Sequence, residues 1–173
     1  VSQSVILAPK DFEGETAEIG GKAVISTGKV MTSVDKQSGA VTIQADDITL
    51  FDNGKRDYDN NRRLIELRTL SQGSFHGAGE RGFSFDLAGD TLVMYNKQNY
   101  GYKKTEERIK QMNISVPMFI SADGYAVLFD DYAAAEMIMD NPIKYVSEST
   151  CSTTGCLPPL MSMMSDSSTS GRT

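Results

Sequence analysis

The residue types best suited to binding chemistry in this sequence are gathered in one short run, 94–102 (MYNKQNYGY). Tyrosine rings present a flat amphipathic surface, and amide side chains donate and accept hydrogen bonds at once, as the hydroxyls of a sugar require. A second interpretation fits the composition equally well, in which the tyrosines fasten a surface loop to its own sheet. From the residues alone, the run is a candidate sugar-binding loop, with both interpretations open.

Residue types used in catalysis are present, but none stands in a recognisable arrangement. His76 is the single histidine, and serine or cysteine nucleophiles normally recruit a histidine base within a motif. We therefore interpret His76 as a packed or hydrogen-bonded residue in a turn. The run 77–82 (GAGERG) lacks the spacing and the helix of a phosphate-binding loop, so it is predicted to be a glycine turn.

Glycoside cleavage would need two suitably spaced carboxyl groups. Glu80 stands out among the acidic residues because a glycine-rich segment surrounds it. A structural role for this side chain is favoured, either capping backbone amides or pairing with Arg81, since no pair of acidic residues lies in a distinctive motif. No catalytic residue is therefore assigned.

Metal and cofactor sites are not predicted. A zinc site needs about four ligands, whereas the chain has one histidine and two cysteines, Cys151 and Cys156. These cysteines either form a disulfide in an oxidising compartment or remain free thiols. The acidic segment 55–63 lacks the glycine and the closing glutamate of a calcium loop, so it is predicted to be a solvated loop.

Charge and hydropathy limit the classes of partner that this chain is expected to bind. The formal net charge is -6, and no basic cluster exceeds two residues, which argues against a nucleic-acid partner. No apolar run approaches the roughly 20 residues of a membrane span. The first residues include neither an initiator methionine nor a basic leader, which indicates a processed, exported protein, periplasmic or secreted, with a cytoplasmic location as the alternative.

Alternation of apolar and polar residues predicts an antiparallel all-β fold with many short strands. The predicted strands are 23–26, 30–34, 40–44, 48–51, 64–70, 83–87, 91–95, 114–120 and 125–129. Glycine-containing loops at 35–39, 52–55, 88–90 and 122–124 are predicted to be turns. Pro117 indicates an irregular or edge neighbour.

The remaining segments are less regular. Segment 102–113 is predicted to be an exposed loop with room for a helical turn, and 133–139 suits a helix and a strand equally. Segment 147–173 is rich in Ser, Thr and Met and is expected to be a disordered or irregular tail. The chain is thus divided into an antiparallel β-sandwich domain, 1–146, and this tail.

Four segments together resemble glycoside hydrolase family 31. In order, 75–81 (FHGAGER), 92–102 (LVMYNKQNYGY), 115–120 (SVPMFI) and 124–131 (GYAVLFDD) resemble its YGLGE, TLWNTDAYGY, SIPFFI and GYGIFFDN motifs. The resemblance covers about 64–145. Segment 153–159 (TTGCLPP) is similar to the stretch that leads into the family's catalytic barrel.

The resemblance implies the N-terminal galactose-mutarotase-like supersandwich of a retaining α-glucosidase or α-xylosidase. In that family a (β/α)8 barrel carries the nucleophilic and acid/base aspartates, so the chain is expected to be a fragment that is inactive alone. The loop matching 95–102 reaches over the barrel mouth. The family's substrate-contacting aspartate falls on Gln98, which implies sugar contacts by Gln98, Asn99 and Tyr100, with an amide in place of the carboxylate.

Two other functions remain as alternatives at this stage. The chain could be a carbohydrate-binding module in its own right, with an α-glucoside or related oligosaccharide as its ligand. It could also be an aldose mutarotase, since the sandwich is related. Mutarotases use a pair of histidines with a carboxylate, and the single His76 disfavours that activity.

Overall fold

The computed structural model describes residues 14–59, 62–98, 103, 105–111, 113–131, 133–148 and 160–165. Its strands are β1 (Glu15–Ile19), β2 (Lys22–Thr27), β3 (Val30–Asp35), β4 (Val41–Ala45), β5 (Ile48–Asp59), β6 (Arg62–Thr69), β7 (Phe75–Gly79), β8 (Thr91–Met94), β9 (Ser115–Ser121), β10 (Tyr125–Asp130), β11 (Ala135–Ile138), β12 (Ile143–Ser147) and β13 (Leu160–Ser165). A short 3-10 helix, Glu107–Lys110, precedes β9. The prediction of an all-β, antiparallel sandwich is confirmed.

The strands form two antiparallel sheets. The larger has nine strands in the order β1-β2-β3-β4-β5-β6-β12-β11-β8, and the smaller has four in the order β13-β10-β9-β7. Neighbouring strands from β1 to β4 are joined by hairpins, and the predicted turn at 35–39 joins β3 to β4. After β6 the chain alternates between the sheets: β7 lies in the smaller sheet, β8 in the larger, β9 and β10 in the smaller, β11 and β12 in the larger, and β13 in the smaller.

Aromatic rings fill the space between the sheets. Phe119 of the smaller sheet is fully buried and makes ring contacts with Phe75, Tyr125 and Phe129 at centroid distances of 5.5, 6.5 and 6.4 Å. The ring of Phe129 stacks on Tyr145 of the larger sheet at 4.2 Å. Burying such large rings, together with the aliphatic core residues around them, drives the two sheets together.

The Asn-Gly signal at 52–55 does not form a turn, contrary to the prediction. Strand β5 continues through it, and Val41 pairs with Gly54 while Ile43 pairs with Phe51, so the extra residues make a β-bulge. Asn53 takes a φ of 47°, which an asparagine tolerates in a bulge as well as in a turn. The prediction of a solvated loop at 55–63 is also wrong, because residues 55–59 belong to β5 and pair with β6.

The predicted strand 83–87 and the hairpin it would form are also wrong. This segment is irregular, and the turn at 88–90 connects it to β8. Its positions are set by individual contacts: the Phe75 amide donates to Asp86 Oδ1 at 3.0 Å, and the Leu87 amide donates to the Phe75 carbonyl at 2.8 Å. Leu87 is buried, Phe83 packs partly against the core, and Phe85 is 84% exposed, so an irregular segment produces an apolar-polar alternation that resembles a strand pattern.

The glycine run 77–82 begins inside β7 and is not simply a turn. Gly77, Ala78 and Gly79 have φ values of 111°, 62° and 88°, and the pairing of β7 with β9 shifts between Gly77 and Gly79. Pro117 lies on β9 opposite this shift, which confirms the prediction of an irregular neighbour. A proline without an N–H fits where the ladder is already interrupted.

Four segments left open or unassigned by the sequence prove to be strands, among them β1 and β12, which the sequence does not predict. Segment 133–139 contains β11, which pairs with β8 and β12. Strand β13 lies inside the tail segment 147–173 and pairs with β10 along its length, a strand that the sequence does not predict. None of the helical segments in the described part of the chain has the length and hydrophobicity to span a bilayer.

Candidate functional site

The candidate sugar-binding loop, called the arm and comprising residues 95–102, leaves the larger sheet where β8 ends. Met94 is still buried in the core, whereas the side chain of Tyr95 is 55% exposed. Asn96 Oδ1 accepts a hydrogen bond of 2.7 Å from the Ser115 amide, and the Gln111 side-chain amide donates to the Tyr95 carbonyl. The base of the arm is therefore fastened to β9 and to the segment after the 3-10 helix.

Arg81 holds together the elements around the arm. Its guanidinium donates to the carbonyls of Ala78 (3.1 Å), Val93 (2.9 Å) and Lys110, and to the Ser115 hydroxyl (3.2 Å). Partial burial of the guanidinium lowers the pKa of Arg81 below its usual value. A planar guanidinium with five donors is the one side chain that can serve acceptors in several directions at this point.

Replacing Arg81 by lysine is expected to lower the free energy of unfolding by about 2–3 kcal/mol, because an ammonium group cannot reach the same acceptors and leaves partly buried carbonyls without donors. Urea denaturation measures the loss. Arg68→Lys is the matched control, since Arg68 makes an exposed 3.5 Å pair with Asp52 that is worth below about 1 kcal/mol. Equal losses in the two variants would contradict the anchoring role of Arg81.

Glu80 and His76, which stand out in the sequence near Arg81, both make structural hydrogen bonds. Glu80 Oε2 accepts a 3.3 Å hydrogen bond from the Asn113 amide, which agrees with the predicted capping of backbone amides. His76 is hydrogen-bonded, as predicted, but it lies on β7 and not in a turn. Its Nε2 lies 2.8 Å from the Ser74 hydroxyl and its Nδ1 lies 2.7 Å from the Phe85 carbonyl, and its ring packs on Phe85.

A shallow groove of about 610 Å³ runs beside the arm on the outer face of the larger sheet. The described part of the arm forms one wall through Tyr95 and Lys97, and strands β8, β11 and β12 form the floor. The lining residues carry charges of both signs together with small apolar side chains: Arg62, Val93, Tyr95, Lys97, Gln111, Ala134, Ala135, Glu136, Val146 and Glu148. Such a surface offers donors and acceptors to a polar ligand lying along the sheet.

The sequence that carries these strands and motifs matches a known family model. The family model of the glycosyl hydrolase 31 N-terminal galactose mutarotase-like domain matches residues 3–137. The chain belongs to this domain family. The sequence motifs in 75–131 thus identify the family correctly, and the sheet order described above is this chain's version of a family 31 N-terminal domain.

Solved structures support the fold of this family 31 domain at low identity. A dextranase of Flavobacterium johnsoniae, solved with isomaltotriose, is 19% identical with a TM-score of 0.73, over 86% of this chain and 20% of its own. The cycloalternan-forming enzyme of Listeria monocytogenes, solved with a pentasaccharide, gives 17% and 0.60 over 78% and 14%. An α-xylosidase of Xanthomonas citri gives 17% and 0.56 over 79% and 15%.

The chain spans about a fifth or less of the length of these three enzymes. At such identities the likeness establishes the fold and nothing finer. No curated protein sequence matches the chain significantly.

The structure places one of the three predicted sugar-contacting residues of this family 31 domain. Gln98 is exposed at the end of the described part of the arm, whereas Asn99 and Tyr100 lie outside the described residues, as do Cys151 and Cys156. No metal-binding cluster of His, Cys, Asp or Glu occurs within the described ranges. Sequence reasoning missed the contribution of Arg81, because its partners lie up to 34 residues away and no local pattern marks them.

Proposed function

We propose that this chain is the noncatalytic N-terminal domain of a family 31 α-glycosidase, packing on a (β/α)8 catalytic barrel and lending its arm to the substrate pocket. The observation that carries the proposal is the fastened base of the arm, where Asn96, Gln111 and Arg81 hold an exposed Tyr95 and Gln98 at the edge of the larger sheet. An arm with an ordered base loses less entropy when its tip contacts a ligand.

The contacts assigned to the tip are amide and phenol contacts. Gln98, Asn99 and Tyr100 would meet the hydroxyls and one ring face of an α-glucoside or α-xyloside. The enzymes with related folds include a dextranase solved with isomaltotriose and an α-xylosidase, which supports a substrate of this class. The bond-breaking carboxylates belong to the barrel in this proposal, so the domain shapes the pocket without cleaving.

In the intact glycosidase that carries this domain, Gln98→Ala is expected to raise KM for an α-glucoside about fivefold and to change kcat less. Removing the amide deletes one hydrogen bond to the bound sugar, remote from the bond that breaks. Steady-state kinetics measure the effect. Gln37→Ala, which removes an amide from the β3–β4 turn, is the matched control and should leave both constants unchanged. An unaltered KM in Gln98→Ala would refute the contact.

The groove beside the arm favours a second candidate, a carbohydrate-binding module that needs no barrel. This candidate predicts measurable binding of isomaltose or maltose to the isolated chain by calorimetry, with amide resonance shifts at Lys97, Gln111 and Glu136. The first candidate predicts only weak binding, or none, at the arm and groove, because half of the pocket wall is missing and the tip must be ordered at a cost.

The surroundings of His76 argue against the remaining alternative, an aldose mutarotase. Both of its ring nitrogens are engaged by neighbouring atoms and its ring packs on Phe85, so it is not presented to a ligand as a general base would be. Polarimetry on fresh α-D-glucose is expected to show the same rate with the chain, with its His76→Ala variant and with buffer.

A further inference from the structure

A second concavity opens at one end of the sandwich, between the two sheets. This end cleft has a volume of about 340 Å³. Met94 contributes from the larger sheet, Ala134 from the segment just before β11, and Ser115 and Pro117 from the start of β9. The volume lies in the range of small-ligand pockets and matches one sugar ring better than an oligosaccharide.

Two polar atoms in the cleft are buried without a hydrogen-bond partner in the described part of the chain: the Tyr145 hydroxyl and Asp131 Oδ2. Tyr145 is only 1% exposed and its ring is fixed by stacking on Phe129. Asp131 is fixed as well, since its Oδ1 accepts a 3.0 Å hydrogen bond from the Ala133 amide. A rigid, unsatisfied donor and acceptor destabilise a fold, so their retention is typical of a binding site.

The Tyr145 phenol and the Asp131 carboxylate interact electrostatically. Burial raises the pKa of the Tyr145 phenol, and the negative charge of Asp131 raises it further. The phenol therefore stays protonated at neutral pH, able to donate one hydrogen bond and to accept others. Beside it, the free oxygen of Asp131 accepts.

The rest of the cleft lining combines apolar and polar groups, as a sugar ring does. Pro117, Ala133 and Ala134 give small apolar walls, and Tyr95 places a half-exposed ring at the mouth. Asn96 adds an amide. A pyranose presents C–H faces to apolar and aromatic walls and hydroxyls, which both donate and accept, to polar groups.

A cation is a poorer complement to the same cleft. An ammonium or guanidinium group would serve Asp131 but cannot accept a hydrogen bond from the Tyr145 hydroxyl. The positive charge of Arg81 also lies next to the lining residue Ser115, to whose hydroxyl it donates at 3.2 Å. A neutral ligand avoids this repulsion.

We propose that the end cleft is a binding site for one neutral polyhydroxylated ring of monosaccharide size, held by Asp131 and Tyr145 at its floor and by Tyr95 at its mouth. The site consists of this chain's own residues and requires no catalytic barrel. Gln98 is not among its lining residues, so the cleft site can fail while the proposed function stands, and the reverse is also possible.

The test is a titration of the full chain with D-glucose, D-xylose and myo-inositol, followed by NMR. We expect millimolar dissociation constants for at least one of the three, with resonance shifts centred on the Met94 methyl group and the amides of Ala133 and Ala134. Tyr145→Phe is expected to weaken binding about fivefold, and Asp131→Asn about tenfold or more.

Tyr125→Phe is the matched control, because its hydroxyl lies 3.1 Å from Thr69 Oγ1 in the core and away from the cleft. This variant should bind as the parent does and melt at a lower temperature. Tyr145→Phe should melt at the same temperature as the parent or higher, because the hydroxyl that it removes has no partner. This pair separates a binding role from a structural one.

Four outcomes would overturn the proposal. The first is no saturable shift with any of the three probes. The second is binding that is equal in the parent chain and in both Tyr145→Phe and Asp131→Asn. The third is that L-arginine methyl ester, and none of the neutral rings, shifts the Met94 and Ala134 resonances. Shifts confined to Lys97 and Gln98 would also overturn it, and would instead support sugar binding by the arm alone.

Discussion

Gly79→Ala is expected to lower the free energy of unfolding by about 3–5 kcal/mol, since it combines backbone strain with a steric clash. Gly79 has a φ of 88°, a region that residues with a Cβ rarely adopt. A Cβ at this position would collide with the Ile114 carbonyl oxygen and lie 2.9 Å from Ser115 Cα. Both obstacles are backbone atoms of β9 or its entry, so neither can rotate away. Urea denaturation followed by circular dichroism measures the loss.

Gly89→Ala provides the matched control for this experiment. Gly89 has a φ of 81°, close to that of Gly79, but a Cβ there would meet nothing within 4 Å. Only the backbone strain remains, and its expected effect is about 1 kcal/mol. Losses of similar size in the two variants would show that the close approach of β7 to β9 is not what requires glycine at position 79.

The Gly79 contact also bears on the arm. The Ser115 amide, which follows the residue that the new Cβ would strike, is the donor that holds Asn96. Displacing this part of β9 is expected to release the base of the arm, so amide hydrogen exchange of Ser115 should accelerate in Gly79→Ala and not in Gly89→Ala.

Phe119→Ala is expected to destabilise the domain by about 3–5 kcal/mol, the range for removing a fully buried aromatic ring. Its side chain has no exposed surface and lies among Phe75, Tyr125 and Phe129. These three rings belong to two strands of the smaller sheet, β7 and β10, and two of them contact rings of the larger sheet. The surrounding strands therefore cannot collapse into the cavity without separating the layers.

Phe85→Ala removes an equal ring from the surface and is the control. Phe85 is 84% exposed and loses only its contact with the His76 ring, so the expected change is below about 1 kcal/mol. Thermal unfolding of both variants compares them directly. If Phe119→Ala melted within a few degrees of Phe85→Ala, the aromatic cluster would not be the centre of the core.

Alternation of apolar and polar residues predicts strands β2, β3, β4 and β6, and their predicted positions agree with the structure. The same kind of prediction misses β12, although burial alternates along that strand. It also fails where a short-range signal has two structural outcomes. The Asn-Gly pair at 53–54 serves a bulge in place of a turn, and 83–87 alternates in polarity although only Leu87 is buried.

The candidate site shows the same division between local and long-range information. The composition of 94–102 identifies the arm, because tyrosine and amide residues are adjacent in sequence. The residues that position the arm are not adjacent: Ser115 lies 19 residues from Asn96, and Gln111 lies 16 from Tyr95. Within the described part of the chain, the Tyr145 hydroxyl and Asp131 Oδ2 are buried without hydrogen-bond partners. The sequence does not indicate this, because the two residues come together only when β12 packs near the end of β10.

The most direct test of a domain that serves a glycosidase without catalysing is an assay of the purified chain with 4-nitrophenyl α-D-glucopyranoside and α-D-xylopyranoside. A family 31 α-glucosidase in parallel reactions provides the positive control. The predicted result is nitrophenol release at the rate of buffer alone, at every protein concentration. Release that scales with the concentration of this chain, and that stays with it through successive purification steps, would contradict the noncatalytic role.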